Sequence, residues 1–360
     1  MKRTGAWVVG STCGVALLFS ATATAATAAT RVVYAGTPSK LTQRIASKLI
    51  PNLKSFSGKY NPDINSFFNQ RVTIHTGDTV SFRIQGFHTV DLPGSTKSAL
   101  PLILPNGTTT GINDAAGSPF WFNGLPSLGL NPALLAPQGA GTYDGTTRID
   151  TGVPLGPAKP LKVKFNKPGA YKYFCDVHPG MVGTVIVKPK GKRIPSAKQT
   201  QKALVSQITG DVKVIKKLAK SKPASNTVSL GESASDGVEL FTMFPQTLKV
   251  KPNTTVTFTM SKDSREVHTA TFGPASVLKT LSDGFQGADF PSQGLYPSDP
   301  ASIVVSPTSH GDGFGNTGAL DEDPGTPPIP PSNKIDFTTA GTYHFQCLIH
   351  PFMQGAIVVQ

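Results

Sequence analysis

Cysteine is scarce in this chain, with three among 360 residues. Cys13 falls in an apolar run near the N-terminus, which leaves Cys175 and Cys347 for the rest of the chain. Two thiols cannot build the multi-bridge framework that staples many small exported domains. A lone Cys175–Cys347 bridge would have to bring together equivalent ends of two separate units, which disulfide geometry disfavours. Long hydrophobic runs are lacking too. The one extended run, Ala6 to Ser20, is short of the roughly 20 residues that a spanning helix needs. Lys2 and Arg3 precede it, and Ala21 to Thr30 follow as small residues with A-x-A-like sites. That order predicts a secretory signal peptide over 1–29, with an uncleaved anchor as the competing reading. Cys13 has its longest apolar stretch still to come, which argues against lipid attachment. Export and the want of any recognition motif exclude nucleic acid as a partner.

What is present is a repeated cluster of soft and nitrogenous donors. Cys175-Asp-Val-His178-Pro-Gly-Met181 recurs as Cys347-Leu-Ile-His350-Pro-Phe-Met353. Each run supplies a thiolate, an imidazole and a thioether, and one further histidine would complete a His₂Cys trigonal site with a weak axial Met, the donor set of copper in one-electron transfer. Thiolate and thioether exclude magnesium or calcium, and structural zinc would take more Cys or His in place of Met. The frame repeats as well: Gly169-Ala-Tyr171-Lys-Tyr173-Phe-Cys175 matches Gly341-Thr-Tyr343-His-Phe345-Gln-Cys347. Both motifs run on into β-branched strands, Gly183–Val187 and Gly355–Val359. Strand alternation puts Tyr171, Tyr173 and Cys175 on one face, as it does Tyr343, Phe345 and Cys347, so each cysteine arrives on a core side.

On these motifs the chain resembles two cupredoxins in tandem, blue copper domains of the plastocyanin, azurin and amicyanin kind, with a Cys-to-Met loop most similar to that of amicyanin. The resemblance implies an all-β chain of two Greek-key β-sandwiches, each here preceded by a short amphipathic helix. The expected division is a signal peptide at 1–29, a basic leader with helix at 30–60, a first cupredoxin domain at 61–188, a basic linker with helix at 189–225 and a second domain at 226–360. In the family the first histidine ligand follows a strand equivalent to those reaching Phe87-His88-Thr89 and Val267-His268-Thr269. The implied metal ligands are therefore His88, Cys175, His178 and Met181 in one site, and His268, Cys347, His350 and Met353 in the other, holding two coppers per chain that cycle between Cu(I) and Cu(II). Many members have Asn after that first histidine to tie the ligand loops together; Thr89 and Thr269 stand there instead, where a hydroxyl can serve. By the same resemblance His178 and His350 should reach the surface through an apolar patch. Phe352 should enlarge the rim around His350, lower solvent access there and raise the potential of the second copper.

The remaining stretches set expectations of their own. Leu41, Ile45 and Leu49 in the first leader and Leu204, Ile208, Val212 and Ile215 in the second recur at helical spacing, with Ser39 and Ser196 as N-caps. These helices are expected to dock on the sandwiches or lie between them. The long excursions at 91–168 and 272–340 are rich in Gly, Pro, Asn and Ser, and share Gly129-Leu-Asn-Pro132 and Gly294-Leu-Tyr-Pro297. Their duplication predicts ordered caps at one end of each domain. His75, His310 and His344 read as solvated. Net charge is +13, concentrated in the two leaders while the second domain is acidic. The basic leaders therefore suit redox partner proteins or an acidic cell-surface or membrane surface, or else the acidic second domain itself.

Function follows from the donor set: an exported electron-transfer protein, an electron carrier rather than an enzyme. A multicopper oxidase or nitrite reductase needs further histidines, as H-x-H or beside the cysteine. The chain has no H-x-H, and Phe174, Asp176, Gln346 and Leu348 flank the two thiols. A copper-binding carrier or cell-surface module with no electron-transfer role would use the same ligands and stays open at this level.

Overall fold

The protein is described by a computed structural model covering residues 28–323 and 329–360. The expected signal peptide lies almost wholly outside the described residues. Two β-sandwiches dominate. In the first, one sheet joins Phe67–Phe68, Thr30–Ala35, Thr79–Ile84, Leu161–Phe165 and Gly141–Tyr143 in that spatial order. Its partner sheet joins Ile149–Asp150, Asp91–Leu92, Gly169–Phe174, Val182–Lys188 and Arg71–His75. Both sheets are mixed: Thr30–Ala35 runs parallel to Thr79–Ile84, and Arg71–His75 parallel to Val182–Lys188. Alternation does the sorting. Val72, Ile74, Val185 and Val187 point inward against Val33, Phe82, Val163 and Phe165 and form one core with Tyr173 and Cys175, while intervening residues face out.

The second sandwich repeats this plan. Ile303–Val305, Ser332–Phe337, Thr254–Thr259, Thr227–Ser233 and Val238–Phe244 form one sheet, and Thr247–Val250, Gln354–Val359, Gly341–Gln346, Thr271–Phe272 and Gly315–Asn316 the other. Tyr173 and Phe345, on the two cysteine-bearing strands, fill the space over Gly183 and Gly355. A Cβ on Gly183 would sit 2.1 Å from the Tyr173 ring, and one on Gly355 2.5 Å from that of Phe345.

The leaders differ from the expected pattern in three ways. Thr30–Ala35 is a strand of the first sandwich, with Val33 and Ala35 fully buried, so the sheet begins inside the stretch read as leader. Helix α1 (Ser39–Leu49) is followed by a second helix, α2 (Leu53–Tyr60), and Pro38, with no side-chain bond, takes the capping position expected of Ser39. Helix α3 (Ala197–Leu218) spans 22 residues rather than a short element. Ser196 does cap it, with its hydroxyl on Gln199 N–H and the Gln199 side chain returning to Ser196 N–H.

The apolar faces of the helices meet one another and the second sandwich. Leu204, Ile208, Val212 and Ile215 pack with Ala46, Ile50, Phe68, Val238 and Leu240 in a core between the domains. Burying each such aliphatic side chain is worth about 1.5–3 kcal/mol. Val238–Phe244 is buried along its whole length, since this cluster covers the face opposite its own sandwich core. Pro62–Ile64 then crosses to pair antiparallel with Val238–Leu240, giving the second sandwich an edge strand from the segment assigned to the first.

The long excursions are ordered and meet each other. Phe120, Phe122 and Leu128 from the first pack with Leu278, Leu281, Leu295, Tyr296 and Phe314 from the second. His310, expected in solvent, is instead held between Asp114 and Asp299 at 3.3 Å each, with its ring 4.9 Å from Phe120. The two carboxylates hold its imidazole above the usual range, the Asp299 bond foremost. His344 is exposed, and His75 is half-buried with Nε2 at 2.7 Å from the Lys192 carbonyl.

Candidate metal centres

Each cysteine ends a strand at the same end of its sandwich, and a tight loop returns the chain beneath it. Cys175 N–H donates to the Met181 carbonyl at 3.0 Å and Met181 N–H to the His178 carbonyl at 3.0 Å. Cys347, Met353 and His350 repeat both bonds at 3.0 and 2.8 Å. These bonds fold a seven-residue run so that thiol, imidazole and thioether belong to one site. The opposite wall comes from the strand-end histidines. His88 Nδ1 lies 3.0 Å from His178 Nδ1 and 3.9 Å from Cys175 Sγ, while Cys175 Sγ lies 3.4 Å from His178 Nδ1. In the second site His268 Nδ1 lies 3.1 Å from His350 Nδ1, with Cys347 Sγ 3.7 and 3.9 Å from the two nitrogens. Met181 and Met353 are buried beside them.

Electrostatics suit a cation that replaces the thiol protons. Burial pushes the Cys175 thiol up to about 11 and raises Cys347 as well. Burial pulls His178 down to about 4 and lowers His88, His268 and His350. The imidazoles thus stay neutral and available to a metal, whose charge is needed to hold the thiolates. N–H donors already address the sulfurs: Thr89 N–H at 3.3 Å from Cys175 Sγ, and Thr269 and His350 N–H at 3.4 and 3.3 Å from Cys347 Sγ. Two convergent nitrogens, a buried thiol with N–H donors and a buried thioether fit copper.

The threonines that replace Asn bind the loops together. The Thr89 hydroxyl accepts from Asp176 N–H and donates to its carboxylate. The Thr269 hydroxyl accepts from Leu348 N–H at 2.9 Å. Behind the first site Asp176 joins Asp91 and Asp150, with Arg148 paired to Asp91. Burial raises Asp91 to about 8 and Asp150 to about 7.

The outward edges of the loop histidines do not reach the surface as expected. They face each other across the domain boundary, where Glu266 lies between them. His178 is buried, and its side chain is 6% exposed against 19% for His350. The premise that Phe352 makes the second site the drier one is therefore reversed. Phe352 is exposed, 6.0 Å from the His350 ring, and leaves a corner of that imidazole open. Sequence reasoning missed Glu266. The repeat carried a signal, since Gly86 occupies the matching position before Phe87-His88.

Two mixed sandwiches, each closed at one end by a Cys-His-Met loop, have a cupredoxin-like arrangement, and one part of the chain matches a family of that kind. More particularly, residues 141–188, which carry the first loop, match the model of the copper binding proteins, plastocyanin/azurin family. Among solved structures, a mutant plastocyanin of fern is 23% identical, covering 37% of this chain and 99% of its own with a TM-score of 0.22. An auracyanin from the photosynthetic bacterium Roseiflexus castenholzii is 19% identical, covering 38% and 99% with a TM-score of 0.23. A Cu(I) form of a mutant amicyanin is 17% identical, covering 40% and 89% with a TM-score of 0.22. No curated protein sequence matches.

Proposed function

We propose that the chain is an exported electron carrier with two mononuclear type 1 copper sites. One observation carries this reading: each half brings two imidazole Nδ1 atoms and a buried cysteine sulfur within 3.9 Å of one another beside a buried methionine. His88, Cys175, His178 and Met181 would hold one copper, and His268, Cys347, His350 and Met353 the other. Bound copper supplies a one-electron Cu(I)/Cu(II) couple. The chain's own part is to fix the ligands through the Thr89 and Thr269 bonds, exclude water and donate N–H groups to sulfur. No histidine stands beside either cysteine, which supports a carrier over a multicopper enzyme. Export is supported by the N-terminal sequence pattern.

The leaders suit the partner role. Their apolar faces are spent on the domain boundary, while Lys40, Arg44, Lys48, Lys202, Lys213 and Lys216 remain exposed. That basic surface fits an acidic redox partner or an anionic cell-surface layer.

The test is metal loading. The purified chain should bind two Cu(II) with intense blue thiolate-to-copper absorption, about half lost in Cys175→Ser and half in Cys347→Ser, as two independent sites require. Colourless binding, or a colour indifferent to both changes, would remove the type 1 assignment. Rapid electron exchange would separate a carrier of electrons from a carrier of copper.

A further inference from the structure

Glu266 stands two residues before His268, on the segment that delivers the first histidine of the second site, and reaches across the domain boundary to the first. Its Oε1 lies 2.9 Å from His178 Nε2, and its Oε2 lies 3.7 Å from His350 Nε2. Both imidazoles turn Nδ1 toward their own cysteine, so the Nε2 edges are the outward ends of the two sites. One carboxylate therefore ends on the outward edge of a ligand in each site.

The placement is built. Pairing of Pro62–Ile64 with Val238–Leu240 brings Asn65 to the boundary, where Asn65 N–H bonds the Gly237 carbonyl at 2.7 Å. The Asn65 side-chain amide donates to Glu266 Oε1 at 2.9 Å and approaches Glu239 Oε1 at 3.4 Å. Arg265 reaches the Asn65 and Ser235 carbonyls and lies by Gly180 in the first ligand loop. A side chain only 13% exposed, anchored by an amide and flanked by two imidazoles, has lost its freedom to swing. Nothing comparable occupies Gly86, the matching position in the first half.

We infer that Glu266 joins the two metal sites into one electron-exchanging pair, the contact His178–Glu266–His350 being the route between them. The inference rests on the copper reading above. With copper bound the step would move one electron: the reduced site would lose it as the oxidised site gains it, no covalent bond would form or break, and no proton would need to leave the His178–Glu266 contact. Because both outward edges are turned inward, the open corner of His350 beside Phe352 is the door to outside partners, and the first site is served through the bridge.

The test compares the copper-loaded parent with Glu266→Gln, which keeps an acceptor, and Glu266→Ala, which does not, each first checked for two blue coppers per chain. After pulsed reduction of a fraction of the sites, the rate of equilibration within the chain should fall several-fold in Glu266→Ala and less in Glu266→Gln. Proton–nitrogen spectra of the diamagnetic Cu(I) form give a readout independent of rate: the Nε2–H signals of both His178 and His350 should move in both variants. Equal rates in all three proteins, or movement of one imidazole alone, would overturn the bridge while leaving two blue sites intact. A parent without blue copper would instead remove the reading beneath it.

Discussion

Thr89 and Asp176 hold each other by two hydrogen bonds of 2.7 Å, hydroxyl to carboxylate and backbone N–H to hydroxyl. Both residues are buried, and each adjoins a proposed ligand, His88 and Cys175, so the pair is the clasp between the two loops that carry them. Thr89→Val keeps the shape and leaves Asp176 N–H and carboxylate short of a partner. The expected loss is about 1–3 kcal/mol in denaturant unfolding of the metal-free protein, with faster copper release. Thr89→Ser should restore most of both. A valine variant equal to the parent would show that the clasp does not hold the loops.

Gly183→Ala probes the space under Tyr173. The new Cβ would meet the Tyr173 ring at 2.1 Å, and that ring is fully buried. Displacing it forces either the ring or the strand to shift, at an expected cost of about 1–3 kcal/mol. Gly355→Ala should do the same against Phe345. Thermal unfolding reads both, and an unchanged midpoint in either would refute the close packing inferred for that half.

Ile208→Ala tests the helical core at the domain boundary. Ile208 is fully buried among residues of α1, α3 and the second sandwich. Truncation should cost about 2–5 kcal/mol. Because the cluster joins parts of both halves, one cooperative unfolding transition should separate into two. A single unshifted transition would mean that this helix contributes little to holding the halves together.

Asp211 predicts a pH dependence. Burial within α3, with Asp236 adding repulsion, raises its carboxyl to about 7, and its Oδ2 lacks a hydrogen-bond partner. The folded value lies above the unfolded one, so its stabilising contribution is fully present below about 4 and is lost as pH rises to about 7, by at most roughly 1.4 kcal/mol per unit. Asp211→Asn should match the parent at pH 4 and exceed it at pH 8 in denaturant titrations of the metal-free protein. Parallel stability curves for parent and variant would refute the assignment.

The clustering of the candidate donors was legible because its logic is local. Cys175, His178 and Met181 lie within seven residues, and the loop that gathers them closes on its own backbone bonds. His88 and His268 were reached through order along the chain, which a duplicated fold preserves. What sequence could not give was the orientation of the two halves. That depends on α3 packing against Val238 and Leu240 and on Pro62–Ile64 crossing over, both long-range contacts without a periodic signature. The inward turn of His178 and His350, and hence the place of Glu266, followed from this orientation. Helix α2 escaped notice because it is eight residues long, with no buried residue to mark a face.

The crossing strand Pro62–Ile64 also bears on how such a chain can be divided. Here a piece encoded upstream of the first metal loop completes the edge of the second sheet, next to a strand buried along its whole length. A second half made alone would present unpaired backbone groups and an apolar face on that edge, a template for sticking to its own kind. The second sheet is therefore finished, on that edge, by a strand that only the first half can supply.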